Sequence, residues 1–210
     1  MGPGGSGKTT LCRIACGLEA PDTGQVEFDG VDITTVGTQE RRRVYRRCGM
    51  QFQNDALFEH KTVLENVRYP LERLTNLSSS EIRGRANEHL AMVGLSGTQE
   101  RMPSELSGGQ RRRVAVARAC VTDPDLLVCD DPTAGLDPVT SRRILDMIAG
   151  IRYQARNTVV IVSSDVLGLL GVCEHVALLW DGKLEAQGTP ALLWQSPQTK
   201  LRRFLDDAQS

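Results

Sequence analysis

The residues with the clearest chemistry stand at the start of the chain, Gly2-Pro3-Gly4-Gly5-Ser6-Gly7-Lys8-Thr9. Glycine, four residues, glycine, lysine and a hydroxyl residue is the spacing of a phosphate-binding loop. The glycines let consecutive backbone N–H groups curl inward onto phosphate oxygens. Lys8 adds a full positive charge near the outer phosphates, the Thr9 hydroxyl can ligate Mg²⁺, and Thr10 completes the segment. A helix is expected to start here, and its dipole favours an anion at its N-terminus. Leu11, Ile14, Ala15 and Leu18 are expected to form its inward face.

A second place for chemistry is Asp130-Asp131, two carboxylates that end the apolar run Leu126-Leu127-Val128-Cys129. Such a run reads as a buried parallel strand. A third is Leu106-Ser107-Gly108-Gly109-Gln110, which opens a helix carrying Val114, Val116 and Ala117. Two glycines and a serine at a helix start make another potential anion site.

The elements that must position these groups alternate between strand and helix. Gln25–Phe28 reads as a short strand ending at Asp29-Gly30, 38–47 as a basic helix, and Gly49–Phe52 as a further strand. Ser78 and Glu81 have the spacing of a capping box. Ile82, Ala86, Leu90 and Val93 follow at helical intervals up to Gly94. After the Asp130-Asp131 strand comes a helix with Ile144, Leu145, Ile148 and Ile151 inward, then Thr158–Val162 as a second buried strand. Asp181-Gly182 marks a hairpin, and Thr189-Pro190 a helix start. Strand–helix alternation around a helical insertion predicts an α/β core with a helical subdomain.

Composition narrows the function classes. The net charge is −1, from 25 basic against 26 acidic residues, which argues against a nucleic-acid partner. The runs Arg41–Arg43, Arg46-Arg47 and Arg111–Arg113 read as local solvated helix faces. No apolar run is long enough to span a bilayer. Six cysteines, Cys12, Cys16, Cys48, Cys120, Cys129 and Cys173, show no metal-ligand spacing and read as buried free thiols in a reducing cytosol.

The glycine loop and Leu106–Gln110 together resemble the ATP-binding-cassette (ABC) ATPases, whose signature is that pentapeptide. The resemblance runs over the whole chain. It implies ATP and Mg²⁺ as cofactors and a P-loop NTPase (RecA-like) core, residues 1–59 and 122–210, with a helical subdomain at 60–121. It also implies a second ABC ATPase subunit, identical or not, whose ATP faces Ser107, Gly108, Gly109 and Gln110. By the same resemblance Gln53 matches the Q-loop glutamine that touches Mg²⁺. Asp130 matches the Walker B aspartate, and Ala134-Gly135-Leu136-Asp137 the D-loop that crosses the dimer interface. Metal contacts would then come from Thr9, Gln53 and Asp130.

Asn54–Phe58, Glu65–Leu71 and Arg203–Asp206 look like the Mla-type ATPases, with parts shared by polar amino-acid importers. That branch implies membrane permease subunits, an MCE-domain lipid-binding partner, phospholipid cargo and a place on the cytoplasmic face of the inner membrane. Phe58, Tyr69 and Leu71 fit either this role or a core.

Three departures qualify the resemblance. Asp131 stands where the pattern has the glutamate that orients the attacking water. Its carboxylate is one methylene shorter, by roughly 1.3–1.5 Å. A misplacement near 1 Å costs about a hundredfold in rate, or about 2.7 kcal/mol. Ser164 replaces the switch histidine, with neither its reach nor its positive charge. Slow hydrolysis is therefore expected, and the alternative is a nucleotide-binding regulatory half that completes a partner's site. Third, the family places an antiparallel strand pair, an adenine-stacking aromatic and a central strand ahead of the glycine loop. Residues 1–210 are therefore expected to be a truncated form lacking those strands, with neighbouring strand edges and apolar helix faces uncovered.

Overall fold

The computed structural model describes residues 1–155, 157–196 and 199–207. Its centre is a parallel sheet of three strands, β3 (Cys48–Gln51), β4 (Leu126–Asp130) and β5 (Thr158–Val162), in the order β3-β4-β5. Gln51 lies opposite Cys129, and Asp130 opposite Val162. All three strands therefore end together. Their carboxyl ends deliver Gln53, Asp131 and Ser163-Ser164 to one edge, the edge at which open α/β sheets bind ligands. Helix α1 (Lys8–Ala15) packs on β4 and β5, and α6 (Pro138–Ala155) also contacts β5.

Two hairpins flank the sheet. β1 (Glu27–Phe28) and β2 (Val31–Asp32) turn at Asp29-Gly30, and β6 (Val176–Trp180) and β7 (Lys183–Gly188) turn at Asp181-Gly182. Both turns have positive φ at both residues, the backbone that suits the right-handed twist of the strands. The basic helix α2 (Thr38–Arg46) precedes β3.

The middle of the chain is helical: α3 (Val63–Leu74), α4 (Ser79–Met92) and α5 (Gly108–Cys120). They share one core in which Val63, Val67, Leu71, Ala86, Leu90 and Val114 are fully buried. The expected capping box closes α4: Ser78 accepts the Glu81 amide, and the Glu81 carboxylate accepts the Ser78 amide. Gly94 ends the helical stretch in left-handed backbone. α7 (Val166–Leu170), α8 (Pro190–Gln195) and α9 (Thr199–Asp207) complete the chain; Leu201 and Leu205 of α9 lie in the core beside β6. Among the described residues no helix is long and apolar enough to cross a membrane.

The structure corrects three expectations. On α1 and its C-cap the buried positions are Cys12 and Cys16, packed against Val128 and Val162, while Leu11 and Leu18 are exposed. Thr158–Val162 is a strand, but only Val162 is fully covered, and Val160 is 41% exposed. One cause serves both: among the described residues β5 pairs only with β4. A cavity of about 700 Å³, lined by Leu11, Val160, Leu169 and Leu179 among others, opens between β5 and β6. Met1 reaches across to β6, with its nitrogen donating to the Ala177 carbonyl at 2.8 Å and its carbonyl accepting from the Leu179 amide at 2.9 Å. The third correction concerns the arginine run of α5. Arg112 is buried, Arg113 donates to the Val93 carbonyl and Arg111 to the Leu106 carbonyl, so this is no solvated face. Of the cysteines, Cys12, Cys16, Cys120 and Cys129 are buried, Cys48 and Cys173 only half-buried, and all six are free.

Candidate nucleotide site

The glycine loop is shaped from both sides. Gly5 and Gly7 take left-handed backbone, which a side chain would strain. At Gly2 a Cβ would meet the Leu179 carbonyl oxygen at 2.1 Å, so the approach of the loop to β6 requires glycine there. Gly7 is the N-cap of α1 and supplies no side-chain cap, so the helix start has no side-chain acceptor of its own. Gly4 and Gly5 form the exposed part of the loop, Pro3 is half-buried, Ser6 is buried with its hydroxyl unpartnered, and Thr10 is exposed.

Lys8 folds back over this loop. Its Nζ donates to the carbonyls of Gly2 at 2.8 Å and Pro3 at 2.7 Å. Burial pushes the ammonium below its usual range, and the Asp131 and Asp130 carboxylates oppose that shift. Next to it, the Thr9 hydroxyl donates to Oδ1 of the buried Asp130 at 3.1 Å. This contact joins the start of α1 to the end of β4 across 121 residues of chain. Hydroxyl and carboxylate oxygens are the donor set of a hard divalent cation such as Mg²⁺. Gln53, the third predicted metal contact, is exposed just beyond β3, at the same edge of the sheet.

Asp131 is held in an unusual conformation for a non-glycine residue, with φ of 49°. Its amide donates to the Val162 carbonyl at 2.7 Å, extending the β4–β5 ladder by one bond. Its Oδ1 accepts from the Ser163 hydroxyl at 2.8 Å, and Ser163 in turn accepts from the Asp165 amide at 3.0 Å. Asp131, Ser163, Ser164, Thr133–Leu136 and Pro138 are among the residues that line one cleft of about 650 Å³. The structure thus brings Asp131, the exposed Ser164 and the Asp137 segment together. Asp137 caps α6 by accepting the Thr140 amide at 2.9 Å, and hydrogen bonds from the Thr140 hydroxyl first and its amide second hold the carboxyl below the usual range.

Ser107–Gln110 is arranged differently. Ser107 is the N-cap of α5; its hydroxyl accepts the Gln110 amide at 3.3 Å, and the Gln110 side chain accepts the Ser107 amide at 2.9 Å. A Cβ on Gly109 would meet Thr140 Cγ2 at 2.9 Å, and one on Gly108 would touch Leu136. The glycines let this turn lie against α6 and the 134–137 segment. Among the described residues, the hydrogen bonds of Ser107–Gln110 stay within α5 and its N-cap, and none reaches Gly2–Thr10.

Sequence reasoning missed Ser163, Asp55 and Arg112. Ser163 sits beside a residue already singled out, and a hydroxyl one position before Ser164 was a usable signal. Asp55 and Arg112 are 57 positions apart, and no local pattern pairs them.

Comparison with known proteins agrees with this geometry. The family model described as "ABC transporter" matches residues 1–134. The methionine import ATP-binding protein MetN of Caulobacter vibrioides is 40% identical over 210 residues, all of this chain and 63% of its own length. The intermembrane phospholipid transport system ATP-binding protein MlaF of Escherichia coli K12 is 40% identical over 206 residues, 98% of this chain and 77% of its own. The chain thus spans less than two thirds of that MetN and about three quarters of that MlaF. Among solved structures, the dimeric post-hydrolysis state of the ATP-binding cassette MJ0796, bound to ADP and Pi, matches with a TM-score of 0.83 and 34% identity. It covers 90% of this chain and 83% of that one. With the P-loop NTPase fold, the cradle of Gly2–Thr9 and the matched family model in agreement, this chain belongs to the ABC transporter ATP-binding family.

Proposed function

We propose that this chain is the ATP-binding subunit of a membrane transporter, coupling ATP binding and hydrolysis to movement in a permease. The observation that carries the reading is the bond between Thr9 and Asp130 beneath a glycine loop whose lysine is turned inward. A phosphate chain entering there replaces the loop carbonyls as the partner of Lys8, and Gly2–Thr10 wrap it with amides. Thr9, Asp130 and Gln53 would hold Mg²⁺, which supplies charge neutralisation between the outer phosphates. Residues 1–59 and 122–210 form the nucleotide-binding core, and 60–121 the helical subdomain.

Asp131 is the general base. It takes a proton from water as the water oxygen attacks the γ-phosphorus, the bond to the bridging oxygen breaks and ADP leaves. Ser164 stands where a donor to the γ-phosphate is needed, and a neutral hydroxyl stabilises the growing charge less than an imidazolium does. The shortened base and the neutral donor share one cleft, so hydrolysis is slow. Ser107, Gly108, Gly109 and Gln110 face the ATP of a second cassette, and Asp137 lies at that seam. The dimeric arrangement of MJ0796 supports this pairing. The chain then works peripherally at the cytoplasmic membrane face, bound to its permease.

Residues 54–58, 65–71 and 203–206 favour phospholipid cargo and an MCE-domain partner. MetN and MlaF are equally similar to the chain, so an amino acid, as the methionine of MetN's name, is the other cargo class. The second functional reading is a regulatory half that closes on ATP without turnover, and Asp131 with Ser164 is the observation in its favour. Measuring Mg²⁺-ATP binding and turnover on the purified chain tests both. Tight binding with slow turnover supports the first reading, and tight binding without turnover the second. Turnover near about 10 s⁻¹, the typical enzyme value, overturns the claim of a weakened face.

A further inference from the structure

The segment after β3 is a tense piece of backbone. Asp55 and Ala56 both have positive φ, 60° and 48°, and neither is glycine. Consecutive left-handed residues persist only where their surroundings hold them. The holders are two arginines of α5. Arg118 donates to the Asp55 and Ala56 carbonyls, each at 2.7 Å. Arg112 donates through Nη1 to the Gln53 carbonyl, places the same nitrogen 2.9 Å from Asp55 Oδ1, and donates through Nη2 to the Ala134 carbonyl at 3.2 Å.

Arg112 therefore joins three segments that the proposed function assigns to different tasks. Gln53 faces the nucleotide of this chain. α5 begins with Ser107–Gln110, which faces the partner's nucleotide. Ala134 opens the segment that runs to Asp137 at the seam. Arg112 is 6% exposed, and the Asp55 side chain 14% exposed. Burial pushes the Asp55 carboxyl up, and Arg112, Arg111 and Arg118 oppose that shift. A buried pair of this kind is weak evidence for stability, since apolar replacements often do as well; fixing a geometry is its better-attested use. The planar guanidinium suits the task because its rigid fork addresses two carbonyls at once.

We propose that Arg112 is a positioning residue: it ties Gln53 to the signature helix and to the turn at Ala134, so that nucleotide contact at Gln53 is transmitted to both surfaces offered to the partner. The inference rests on the nucleotide reading given above. Hydrogen exchange with and without Mg²⁺-ATP, together with turnover, tests it in the wild type, Arg112→Met, Arg112→Lys and the double variant Asp55→Gly with Arg112→Met. The double variant removes both charges of the Arg112–Asp55 pair and leaves Arg118 its two carbonyl partners, and glycine suits the φ of residue 55.

In the wild type, ATP alters exchange at 2–10, at 53–56 and at 106–111 with 134–137. In Arg112→Met and the double variant, the response at 2–10 and an ATP affinity within twofold remain. The response at 106–111 and 134–137 is lost, and kcat falls at least tenfold. Arg112→Lys, which keeps the charge without the fork, recovers part of kcat. Variants that respond as the wild type does overturn this inference alone. Variants that lose ATP binding in step with their fold also overturn it, because Arg112 is then merely structural. A wild type that shows no response at 2–10 overturns the nucleotide reading first, and this inference with it.

Discussion

At the start of α1 the N-cap is Gly7, in left-handed backbone and without a side-chain cap, whereas at the start of α5 the N-cap is Ser107, whose hydroxyl takes the Gln110 amide. Both turns are rich in glycine, and both read from sequence as anion sites. An α-helix begins with four amides that lack partners within the helix. α1 leaves its amides without a side-chain cap and brings Lys8 and Thr9 beside them, so under the proposed function a ligand finishes its first turn. α5 closes its own turn with the capping box of Ser107 and Gln110, so it keeps its shape empty, and its Gly108 and Gly109 pack against Leu136 and Thr140. The first start leaves its amides without a side-chain cap, and the second satisfies its own.

The contrast breaks most readily at Gly2. Gly2→Ala forces a Cβ to within 2.1 Å of the Leu179 carbonyl oxygen. The expected cost is about 3 kcal/mol of stability with loss of ATP binding, read by thermal melting and nucleotide titration. A variant that melts and binds normally would show that the loop does not need its close approach to β6.

Lys8→Ala comes next. It should weaken ATP binding about a hundredfold, or about 2.7 kcal/mol, while the fold survives, because among the described residues the lysine's hydrogen bonds go to the carbonyls of its own loop. Fluorescent-nucleotide titration decides this, and unchanged affinity would remove α1 as the site.

Restoring the longer base and the charged donor together, Asp131→Glu with Ser164→His, should raise turnover by about tenfold to a hundredfold at unchanged ATP affinity. No gain in kcat would mean that the cleft at Asp131 and Ser164 is not where water is activated.

Ser107→Ala removes only the cap of α5. Its expected cost is about 1 kcal/mol, a drop of roughly 2–4 °C in Tm for a chain of this size, with ATP affinity of the isolated chain unchanged. A parallel fall in affinity would erase the distinction between the two helix starts. Smallest of all is Gly4→Ala, where nothing lies within 4 Å of the added Cβ; Tm should move by less than about 2 °C.

The family and most elements were legible because the signals are local. A capping box, a glycine after a helix, a hairpin dipeptide and an apolar run ending in carboxylates are each decided by neighbours in sequence. That is why α4, β4 and the hairpin at Asp181-Gly182 lie where their residues indicated. The errors have a common origin. Periodicity assigned Leu11 and Leu18 inward because it counts apolar residues, but it does not know what lies opposite a helix. The small Cys12 and Cys16 face β4 and β5, and Leu11 faces the cavity instead. An arginine run reads as solvated because charge normally seeks water, and only Asp55 and the carbonyls of Gln53 and Ala134 make a buried Arg112 tolerable.

By itself, then, the sequence determined the family, the order of the elements, and the identity of the phosphate loop, the paired carboxylates and the signature turn. These are properties of residue types at short spacing. Tertiary structure alone decided that Thr9 reaches Asp130 and that Ser163 steadies Asp131. It also decided that the carboxyl ends of β3, β4 and β5 gather on one edge, and that Arg112 spans three segments. Such contacts join residues up to 121 positions apart. Their geometry follows from the register of a parallel sheet and the packing of helices on it, which no local pattern encodes.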